Sequence, residues 1–481
     1  MSIKEKAEVG LIGLAVMGQN LALNLNDHGI SLAVYNRTAS TTQSFLERTA
    51  ANRKNISGFK DLKTFVDALQ EPRKILLLVK AGEIVDLYIK DLLPLLKRGD
   101  LIVDLGNSHY IDTKRRIDEL GHKGIFFMGV GISGGEDGAR HGPSLMPGGN
   151  YQGWPLVREI FIAISAKTPE GIPCCTWIGP EGSGHFVKMV HNGIEYCEMQ
   201  LISEVYWFLK QESGLNAEEL SQVFSDWNNS LNSFLLEITA RIISFKDSDS
   251  MPLLEKILDT AGQKGTGKWS LAAALDSGVP WSVLAESVFL RILSAYKKDR
   301  LKATNLYPSS SNHLSWDRSK LISHLNSALR CARSIAYAQG FMLLSAASQQ
   351  YRWQLKLDEI ATIWRAGCII RSSLLEQIAR AYREQPDLSS LIFDDYFIKE
   401  LKQNVDSLRL VASEGLRLGL PLPALTSALT FFDSMRSGLL PTNLIQAQRD
   451  FFGAHGYERI DQPEGKIFHT DWKVTDKAQD P

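Results

Sequence analysis

Four polar side chains recur at helical spacing near the middle of the chain. Segment 186–196 carries Lys188, His191, Asn192 and Glu195, and at about 100° per residue these positions share one narrow stripe of a helix. A lysine beside an alcohol can take the hydroxyl proton during oxidation and then polarise the resulting ketone as an ammonium group. A glutamic acid whose pKa is raised in a dry pocket can deliver a proton to carbon. With Asn192 holding the substrate, the stripe predicts a metal-free oxidation followed by decarboxylation and reprotonation.

The alternative is a helix face that serves only solubility. An amphipathic helix usually turns its polar stripe to water, and that interpretation would suffice for Lys188 and Glu195 alone. His and Asn are poor choices for such a face, and Gly193 costs a helix about 1 kcal/mol relative to alanine. A glycine there suits the close approach of another backbone or of a ligand. Both observations favour a site over a solvated face.

A glycine-containing loop near the start of the chain could present a redox cofactor to this stripe. The apolar run Val9–Ile12 enters the sequence Gly-Leu-Ala-Val-Met-Gly, which leads into the helical pattern Asn20–Asp27. Small residues permit a tight turn and a close approach of the pyrophosphate, whose charge then lies at the helix N-terminus. We therefore predict a dinucleotide site formed by Gly13, Leu14, Ala15, Val16, Met17 and Gly18.

The end of the second apolar run distinguishes between the two nicotinamide dinucleotides. An NAD enzyme usually places Asp or Glu there to hold the ribose 2′-hydroxyl, but this chain reads Tyr35-Asn36-Arg37-Thr38. Arg37 can pair with a 2′-phosphate, and Asn36 and Thr38 can donate hydrogen bonds to it. The alternative is that Arg37 is a solvated surface residue. The missing acid together with the base favours NADP.

Short apolar runs and helical patterns alternate in the first third of the chain, whereas long helical patterns fill the rest. Runs without polar alternation are typical of a parallel sheet covered by helices. Three glycines and a proline in 179–184 break the pattern. We predict an α/β Rossmann-type N-terminal domain over 1–180, a large all-α domain over 181–440 and a C-terminal tail over 441–481 that gains its order by packing on something else. The strand-like runs are Val9–Ile12, Leu32–Tyr35, Ile75–Val79, Leu101–Asp104, Ile125–Val130 and Cys175–Ile178; the helical patterns include 83–96, 186–211, 217–244, 281–296, 320–347 and 360–379.

Bulk composition argues against several classes of protein. Lys plus Arg (53) nearly balance Asp plus Glu (54), so charge gives no support to nucleic-acid or membrane-surface binding. The five cysteines lack zinc-like spacing, no His-Glu-x-x-His motif occurs, and no metal is implied. No run approaches the roughly 20 apolar residues of a membrane helix, and residues 1–8 lack the apolar core of a signal peptide. We expect a cytoplasmic protein with reduced thiols.

Seven short motifs occur in order along nearly the whole chain. They are Gly13–Gly18, Asn36-Arg37-Thr38, Val79-Lys80-Ala81-Gly82, Gly131–Glu136, Lys188–Tyr196, Lys264–Trp269 and Gln446–Arg449 with His455. Together they resemble the 6-phosphogluconate dehydrogenase family. The fourth resembles a signature of the wider 3-hydroxyacid dehydrogenases, and the last two are specific to the 6-phosphogluconate branch.

The resemblance implies the oxidative decarboxylation of 6-phospho-D-gluconate to D-ribulose 5-phosphate with reduction of NADP, in the oxidative pentose phosphate pathway and gluconate utilisation. It implies that Lys188 is the general base and then the acid, and that Glu195 protonates the enediol. It further implies a homodimer in which the partner's tail completes the site. The implied substrate contacts are Asn107, Ser133, Gly134, Gly135, His191, Asn192, Tyr196, Lys264, Thr266 and Arg291, with Arg449 and His455 from the partner; the implied cofactor contacts beyond those above are Val79, Lys80, Ala81 and Asn107.

Other interpretations remain open for several of these residues. Segment 264–268 could be a solvated turn, and Arg449 and His455 would by default be exposed and without a role. Arg291 stands within an apolar run, which argues that it has a partner. The chain also departs from the family at Leu105, where two glycines typically precede the asparagine corresponding to Asn107. Leu105 could tune the fit of the cofactor or simply face the sheet.

Two rival functions follow from the same pattern. One is a 3-hydroxyacid dehydrogenase that acts on a smaller, unphosphorylated substrate without decarboxylation; Lys264 and Arg291 and the long helical region argue against it. The other is a catalytically inactive NADP-sensing or scaffold protein. The intact set of Lys188, Asn192 and Glu195 argues against that one.

Overall fold

The computed structural model describes residues 6–308 and 314–472. Its contacts divide the chain into two compact units, Met1–Leu429 and Thr430–Pro481. None of the helices in the described ranges is long and apolar enough to cross a membrane.

A twisted sheet forms the N-terminal part of the first unit. Its strand order is β3-β2-β1-β4-β5-β6-β7-β8, and every pair is parallel except the antiparallel pair β6–β7. Helices connect the strands, so the predicted α/β Rossmann-type fold is confirmed. The strands are β1 (Val9–Ile12), β2 (Leu32–Tyr35), β3 (Ile56–Phe59), β4 (Lys74–Leu77), β5 (Leu101–Asp104), β6 (Phe126–Ser133), β7 (Ser144–Gly149) and β8 (Gly179–Pro180); the helices are α1 (Val16–Asp27), α2 (Ala39–Ser44), α3 (Leu62–Asp67), α4 (Glu83–Leu92), α5 (Tyr110–Gly121), α6 (Gly135–His141) and α7 (Trp154–Ile164).

Both faces of this sheet are buried, which explains the apolar runs. In β5, Leu101 and Val103 belong to one apolar core and Ile102 to another on the opposite face. Successive side chains of a strand point to opposite faces, so a strand covered on both sides must be apolar throughout. The predicted bounds of β1, β2 and β5 are confirmed.

Some strand predictions were wrong. The segment Cys175–Ile178 forms only an isolated bridge from Cys175 to Leu145, and the glycine break at 179–184 contains the short strand β8 instead. Strands β3 and β7 were not predicted, because glycine or proline interrupts their apolar patterns. The fifth predicted run continues to Ser133, which brings that residue to the end of β6.

A large helical region follows, as predicted. Its central element is the 30-residue helix α8 (Ser183–Glu212), which packs against β6, β7 and several helices and is buried on almost every side. The helices after it are α9 (Ala217–Leu231), α10 (Phe234–Ser244), α11 (Thr266–Asp276), α12 (Ser282–Ser294), α13 (Lys297–Leu306), α14 (Arg318–Tyr351), α15 (Leu357–Ile363), α16 (Leu374–Glu384), α17 (Asp395–Leu418) and α18 (Pro423–Met435).

Two of the predicted long helices are in fact broken. The pattern 217–244 is interrupted at Asn232, which adopts a left-handed backbone with φ 41° and ends α9. The pattern 360–379 is interrupted between α15 and α16, where Gly367 has φ 64°. Periodicity alone does not reveal such breaks, because the apolar positions on either side keep their spacing.

The second unit has more regular structure than its sequence indicates. It contains helix α19 (Thr442–Gly453) and a two-stranded antiparallel ribbon of β9 (Tyr457–Glu458) and β10 (Ile467–Phe468). The sequence shows little periodicity after Pro441, yet this part of the chain forms a helix of 12 residues. Buried Asp450 organises this unit, since its carboxylate accepts hydrogen bonds from the Gly456 and Thr470 backbone N–H groups and from the Trp472 indole. The unit lacks an apolar core over residues 436–472, where no apolar side chain is fully buried.

Candidate active site

Helix α8 lies directly against the backbone of β6. Two glycines two positions apart on the strand, Gly129 and Gly131, face two residues one turn apart on the helix. A Cβ at Gly129 would lie 2.6 Å from the ring of His185, and one at Gly131 would collide with the Cβ of Lys188. The glycines therefore let α8 approach closely enough to bring Lys188 to the end of β6, where Ser133 lies.

The predicted polar stripe is buried and forms a cluster. Lys188 is only 6% exposed, and its Nζ donates to the Oδ1 of Asn192 at 2.5 Å. The same Nζ lies 3.4 Å from His191 Nδ1, while His191 Nε2 lies 3.1 Å from Ser133 Oγ. Glu195 is one turn further, with Oε2 3.8 Å from His191 Nδ1. The structure thus brings these five side chains together and excludes the solvated-face alternative.

Burial sets the proton affinities in this cluster. Desolvation lowers the pKa of Lys188, although the charge of Glu195 opposes the shift. Desolvation and the neighbouring lysine lower the pKa of His191 well below its ordinary value. Desolvation raises the pKa of Glu195 against the opposing charges of Lys188 and Arg291. Each shift favours the uncharged form, the form in which a lysine can accept a proton and a carboxylic acid can donate one.

His191 is held by both ring nitrogens. Since its ring is neutral, one nitrogen carries a hydrogen and the other accepts. Nδ1 lies 3.4 Å from Lys188 Nζ and 3.3 Å from Asn192 Oδ1, and Nε2 lies 3.1 Å from Ser133 Oγ. The ring also packs edge-on against Trp364, with centroids 5.5 Å apart. This arrangement links the end of β6 to the lysine.

The role expected for Gly193 was wrong. A Cβ at this position would lie 2.5 Å from the indole of Trp281, which is buried in the core. Gly193 therefore makes room for the indole of Trp281, and not for a ligand or another backbone.

The predicted phosphate contacts partly converge at the far end of the stripe. The Arg291 guanidinium stacks on the Tyr196 ring at 3.5 Å from its centroid. The N-terminus of α11 packs on the same ring, because a Cβ at Gly267 would lie 2.5 Å from it. Thr266 begins α11 and is buried, whereas Lys264 is exposed just before it. A guanidinium and a helix N-terminus on one tyrosine form a surface suited to an anion.

The loop after β6 is shaped by the helical region. Gly134 has φ 122° and Gly135 φ 62°, conformations that favour glycine. A Cβ at Gly134 would lie 2.5 Å from the carbonyl oxygen of Gly367. The two glycines therefore turn the chain from β6 into α6 immediately after Ser133, with their backbone groups beside the cluster.

The predicted cofactor loop joins β1 to α1 by a tight turn. Gly13 has φ 104°, and a Cβ on it would overlap the Leu78 carbonyl oxygen; one on Gly18 would overlap the carbonyl oxygen of Gly13. Segment Leu14–Met17 lies between these glycines at the start of the 12-residue α1. Both glycines are thus required by close packing of the backbone.

The residues after β2 are tied to this loop. Asn36 Oδ1 accepts from the Leu14 backbone N–H at 3.2 Å, and its Nδ2 donates to the Thr38 carbonyl at 3.3 Å. Arg37 and Thr38 are exposed. Within the described residues, Arg37 forms no ion pair with an acid. Its charge is therefore available to an anion bound beside the loop, while Asn36 has a positioning role in the free protein.

The loops after β4 and β5 carry the remaining cofactor candidates. Val79, Lys80 and Ala81 follow β4, with Lys80 exposed, and Asn107 is exposed beyond β5. Leu105 is 1% exposed and belongs to the core on one face of the sheet. Of the two interpretations of this departure, the structure supports the one in which Leu105 faces the sheet.

Arg449 and His455 lie in the second unit. Arg449 is exposed and donates to Gln446 Oε1 at 3.0 Å, and exposed His455 is near Phe452. Neither has an acidic partner among residues 430–472 of that unit.

Several residues around the site were not recognised from the sequence. Asp104 and Arg116 are buried beneath the cofactor loops, and His185 is buried on α8. Asp104 had a usable signal, because a buried strand that ends on an acid indicates a role for that acid. Arg116 and Trp364 had none, since each stands in an ordinary helical pattern and is brought to the site only by the fold.

Two family models together cover almost the whole chain. The NAD binding domain of 6-phosphogluconate dehydrogenase matches residues 8–179. The 6-phosphogluconate dehydrogenase C-terminal domain matches residues 184–472.

Curated relatives and a solved structure agree with these models. The decarboxylating 6-phosphogluconate dehydrogenase of Haemophilus influenzae is 51% identical over 97% of this chain and 96% of its own. The human enzyme of the same name is 50% identical over 97% of each chain. Plasmodium falciparum 6-phosphogluconate dehydrogenase, solved in its apo form and in complex with NADP+ and with 6-phosphogluconate, superposes with a TM-score of 0.93 at 42% identity over 97% of this chain and 100% of its own. The chain therefore belongs to the 6-phosphogluconate dehydrogenase family.

Proposed function

We propose that this chain oxidises and decarboxylates 6-phospho-D-gluconate to D-ribulose 5-phosphate and carbon dioxide, with reduction of NADP to NADPH, as a step of the oxidative pentose phosphate pathway and of gluconate utilisation. The observation that carries the proposal is buried Lys188, bonded to Asn192 and to a neutral His191, with protonatable Glu195 on the same helix. The relatives named above are decarboxylating 6-phosphogluconate dehydrogenases.

The cofactor loop fits a dinucleotide with a 2′-phosphate. Close backbone packing requires glycine at both Gly13 and Gly18, and the loop between them leads into the N-terminus of α1, which favours a bound pyrophosphate. Asn36 stands where an NAD enzyme would place an acid, and the exposed Arg37 beside it can pair with the additional phosphate. The solved Plasmodium relative binds NADP+. NADP, when bound, accepts the hydride from C3 of the substrate.

Lys188 begins the reaction as a base. Burial lowers its pKa and so favours the uncharged amine, which takes the proton of the C3 hydroxyl as that carbon is oxidised. The resulting ammonium group then polarises the C3 ketone. Asn192, through its amide, holds the lysine in place and does not titrate. His191 and Ser133 orient the substrate beside Lys188.

The ketone at C3 makes the oxidised substrate a β-keto acid, which loses carbon dioxide to leave an enediol. Glu195 protonates C1 of that enediol, since burial raises the pKa of its carboxyl and favours the protonated form. Lys188 makes the other proton transfers: its ammonium gives a proton to the C3 oxygen as carbon dioxide leaves, and its amine takes that proton back from the hydroxyl when the ketone of ribulose 5-phosphate forms. Both residues thus end the cycle ready to exchange protons with solvent.

The substrate carries a carboxylate and a phosphate, which need cationic or N–H donors. Tyr196, Thr266 and Arg291 form the phosphate surface, with Lys264 at its exposed edge. Asn107, Gly134 and Gly135 contact the sugar acid. This set favours a phosphorylated sugar acid over the smaller, unphosphorylated substrate of a 3-hydroxyacid dehydrogenase.

A homodimer with shared active sites completes the proposal. The second unit exposes the apolar side chains of Leu444, Ile445, Phe451 and Phe452. An exposed apolar patch of this kind is typical of a surface that binds another protein chain. The first unit has an apolar groove of about 1000 Å³ between α8, α10 and the α17–α18 turn, lined in part by Tyr206, Trp207 and Leu235. We assign Arg449 and His455 to the phosphate of the partner's substrate. The dimer is cytoplasmic, in keeping with its balanced charge and five unpaired cysteines.

The decisive experiment follows NADPH and carbon dioxide together. Purified protein is given 6-phosphogluconate with NADP, with NAD and gluconate as the comparison cofactor and substrate. Equal amounts of both products with the phosphorylated acid and NADP support the reaction. NADPH without carbon dioxide would instead support a simple hydroxyacid dehydrogenase. NADP binding without turnover would support the inactive-sensor alternative.

Mixed dimers test the shared site. Lys188→Ala and Arg449→Ala are each expected to inactivate the homodimer. After unfolding and refolding together, one of the two sites in each mixed dimer combines an intact lysine with an intact tail, so activity should return. Activity that does not return in verified mixed dimers would refute the shared site.

A further inference from the structure

A buried chain of hydrogen bonds joins the loops after β4 and β5 to helix α8. We call it the Arg116–His185 network; its members are Gly82, Asp104, Thr113, Arg116 and His185. The mechanism proposed above does not use it, and it involves no residue assigned to substrate or cofactor. It therefore raises the question of what it holds in place.

The first link brackets Asn107. The Oδ1 of Asp104 accepts from the Gly106 backbone N–H at 2.9 Å, and Oδ2 accepts from Ser108 Oγ at 2.6 Å. These bonds fall on either side of Asn107 and fix the turn that carries it. Asp104 is fully buried at the end of β5, so water does not compete for its carboxylate.

The second link joins this turn to the neighbouring loop. Arg116 is 1% exposed, and its guanidinium donates to the Gly82 carbonyl at 3.0 Å and to Asp86 at 2.8 Å. The same group lies 3.4 Å from Asp104 Oδ2. Arg116 thus holds the Val79–Gly82 loop and the Asn107 loop in one relative position. Both loops carry cofactor candidates.

The third link reaches the catalytic helix. His185 Nε2 donates to the backbone carbonyl of Asp104 at 3.1 Å, and Nδ1 accepts from Thr113 Oγ1 at 2.6 Å. Burial lowers the pKa of His185, which keeps the ring neutral with its hydrogen on Nε2. Lys188 follows one turn later on α8. A Cβ at Gly129 would lie 2.6 Å from His185 Nδ1, so the ring packs directly against the bare backbone of β6.

We infer that His185 is a positioning residue for hydride transfer: its bond to the Asp104 carbonyl sets the distance between the cofactor loops and Lys188. The inference rests on the proposed function. A cofactor held by the loops and a substrate held by α8 must meet with the C3 hydrogen facing the nicotinamide. The network of hydrogen bonds holds the cofactor loops and α8 at the distance that hydride transfer requires.

Two substitutions separate this bond from general packing. In His185→Gln the amide nitrogen can occupy the place of Nε2 and still donate to Asp104. In His185→Asn the shorter side chain cannot reach. We expect His185→Asn to lower kcat by about tenfold to a hundredfold, the range for a small misplacement of reacting groups, and His185→Gln to restore most of the loss. Dissociation constants for NADP and KM for 6-phosphogluconate should change little, while the isotope effect on kcat with C3-deuterated substrate should grow.

If His185→Asn does not fold, Thr113→Val is a milder variant that leaves the donor to the Asp104 carbonyl in place. It removes the hydroxyl that orients His185 and should lower kcat with the same isotope signature. Thr168→Val is the matched control, because Thr168 is also a buried threonine but lies outside the network. It should lower Tm without a change in kcat or isotope effect.

Three results would overturn the inference: kcat of His185→Asn equal to that of the parent, equal losses in the Gln and Asn variants, or kcat losses that simply follow Tm in all variants including Thr168→Val. The parent chain separates this failure from failure of the proposed function. An active parent with any of these results removes only the role of His185, whereas a parent that forms no NADPH from 6-phosphogluconate removes both.

Discussion

Lys188 and Asn192 lie one helical turn apart on α8, and the lysine Nζ donates to the amide oxygen at 2.5 Å. The contact is buried, so it holds the amine in place without supplying a negative charge that would keep it protonated. A carboxylate at position 192 would stabilise the ammonium form instead. The pair therefore combines a fixed position with a lowered lysine pKa, the two properties that a general base needs.

Lys188→Ala should lower kcat by about 10²–10⁴, the usual contribution of a general acid–base. NADP binding, measured by titration calorimetry, should remain, since the lysine is not in the cofactor loop. Lys210→Ala is the matched control on the same helix; Lys210 pairs with Glu255 near the helix end and its loss should leave kcat unchanged. Activity of Lys188→Ala near that of the parent would remove the lysine from the mechanism.

Glu195→Gln should change the pH profile as well as the rate. The proposed mechanism requires neutral Lys188 and protonated Glu195, so kcat/KM should fall at low pH as the lysine gains a proton and fall at high pH as the glutamic acid loses one. Burial lowers the first pKa and raises the second. Glutamine cannot lose a proton. The variant should therefore keep the fall at low pH and lose the fall at high pH, with kcat lower by about 10²–10⁴.

The matched control for that change is Glu384→Gln, at the exposed end of α16, which should reproduce the parent profile. If Glu195→Gln kept both limbs of the profile, another group would be the acid. The apparent pKa values in the parent profile belong to Lys188 and Glu195 as an interacting pair. The comparison therefore depends on whether the falls at low and at high pH are present.

Arg37→Ala should weaken NADP selectively. Loss of a charged hydrogen bond costs about 1.5–3 kcal/mol, so KM for NADP should rise roughly tenfold to a hundredfold while KM for NAD stays the same. Steady-state kinetics with both cofactors measures this. Arg158→Ala, which removes an exposed arginine from α7, should affect neither. An equal rise for both cofactors would show that Arg37 does not contact the 2′-phosphate.

Leu105→Ala should destabilise the protein because Leu105 belongs to the sheet core. Truncation of a buried leucine costs about 2–5 kcal/mol, measurable as the free energy of unfolding in urea. Leu87→Ala on α4 is the exposed control and should cost little. Unchanged stability together with an altered KM for NADP would mean that Leu105 acts on the cofactor after all.

The sequence was most informative where a pattern is local. The strands β1, β2 and β5 are predictable because each is a short apolar run between polar loops, and the stripe Lys188–Glu195 is predictable because a helix repeats its faces at a fixed spacing. The cofactor loop is recognisable because strand, glycines and helix follow one another directly. The resemblance supplied the candidates that no local pattern indicates, such as Arg449 and His455.

Other features depend on contacts between distant segments. The break at Asn232 comes from a single left-handed residue, which leaves the apolar spacing on both sides intact. Gly193 was misinterpreted because the indole of Trp281 comes from a distant segment, just before α12. His185 lies just before the predicted helix 186–211, and only the fold brings Asp104 beside it.

The close contact between β6 and α8 also limits how this protein can evolve. At Gly129 and Gly131 the strand offers bare backbone to the helix, so even the smallest added side chain would push His185 or Lys188 away. Single substitutions at these two glycines are therefore poorly tolerated. Changes of substrate preference must therefore begin at the exposed rim, where Asn107 and Lys264 have room to be replaced.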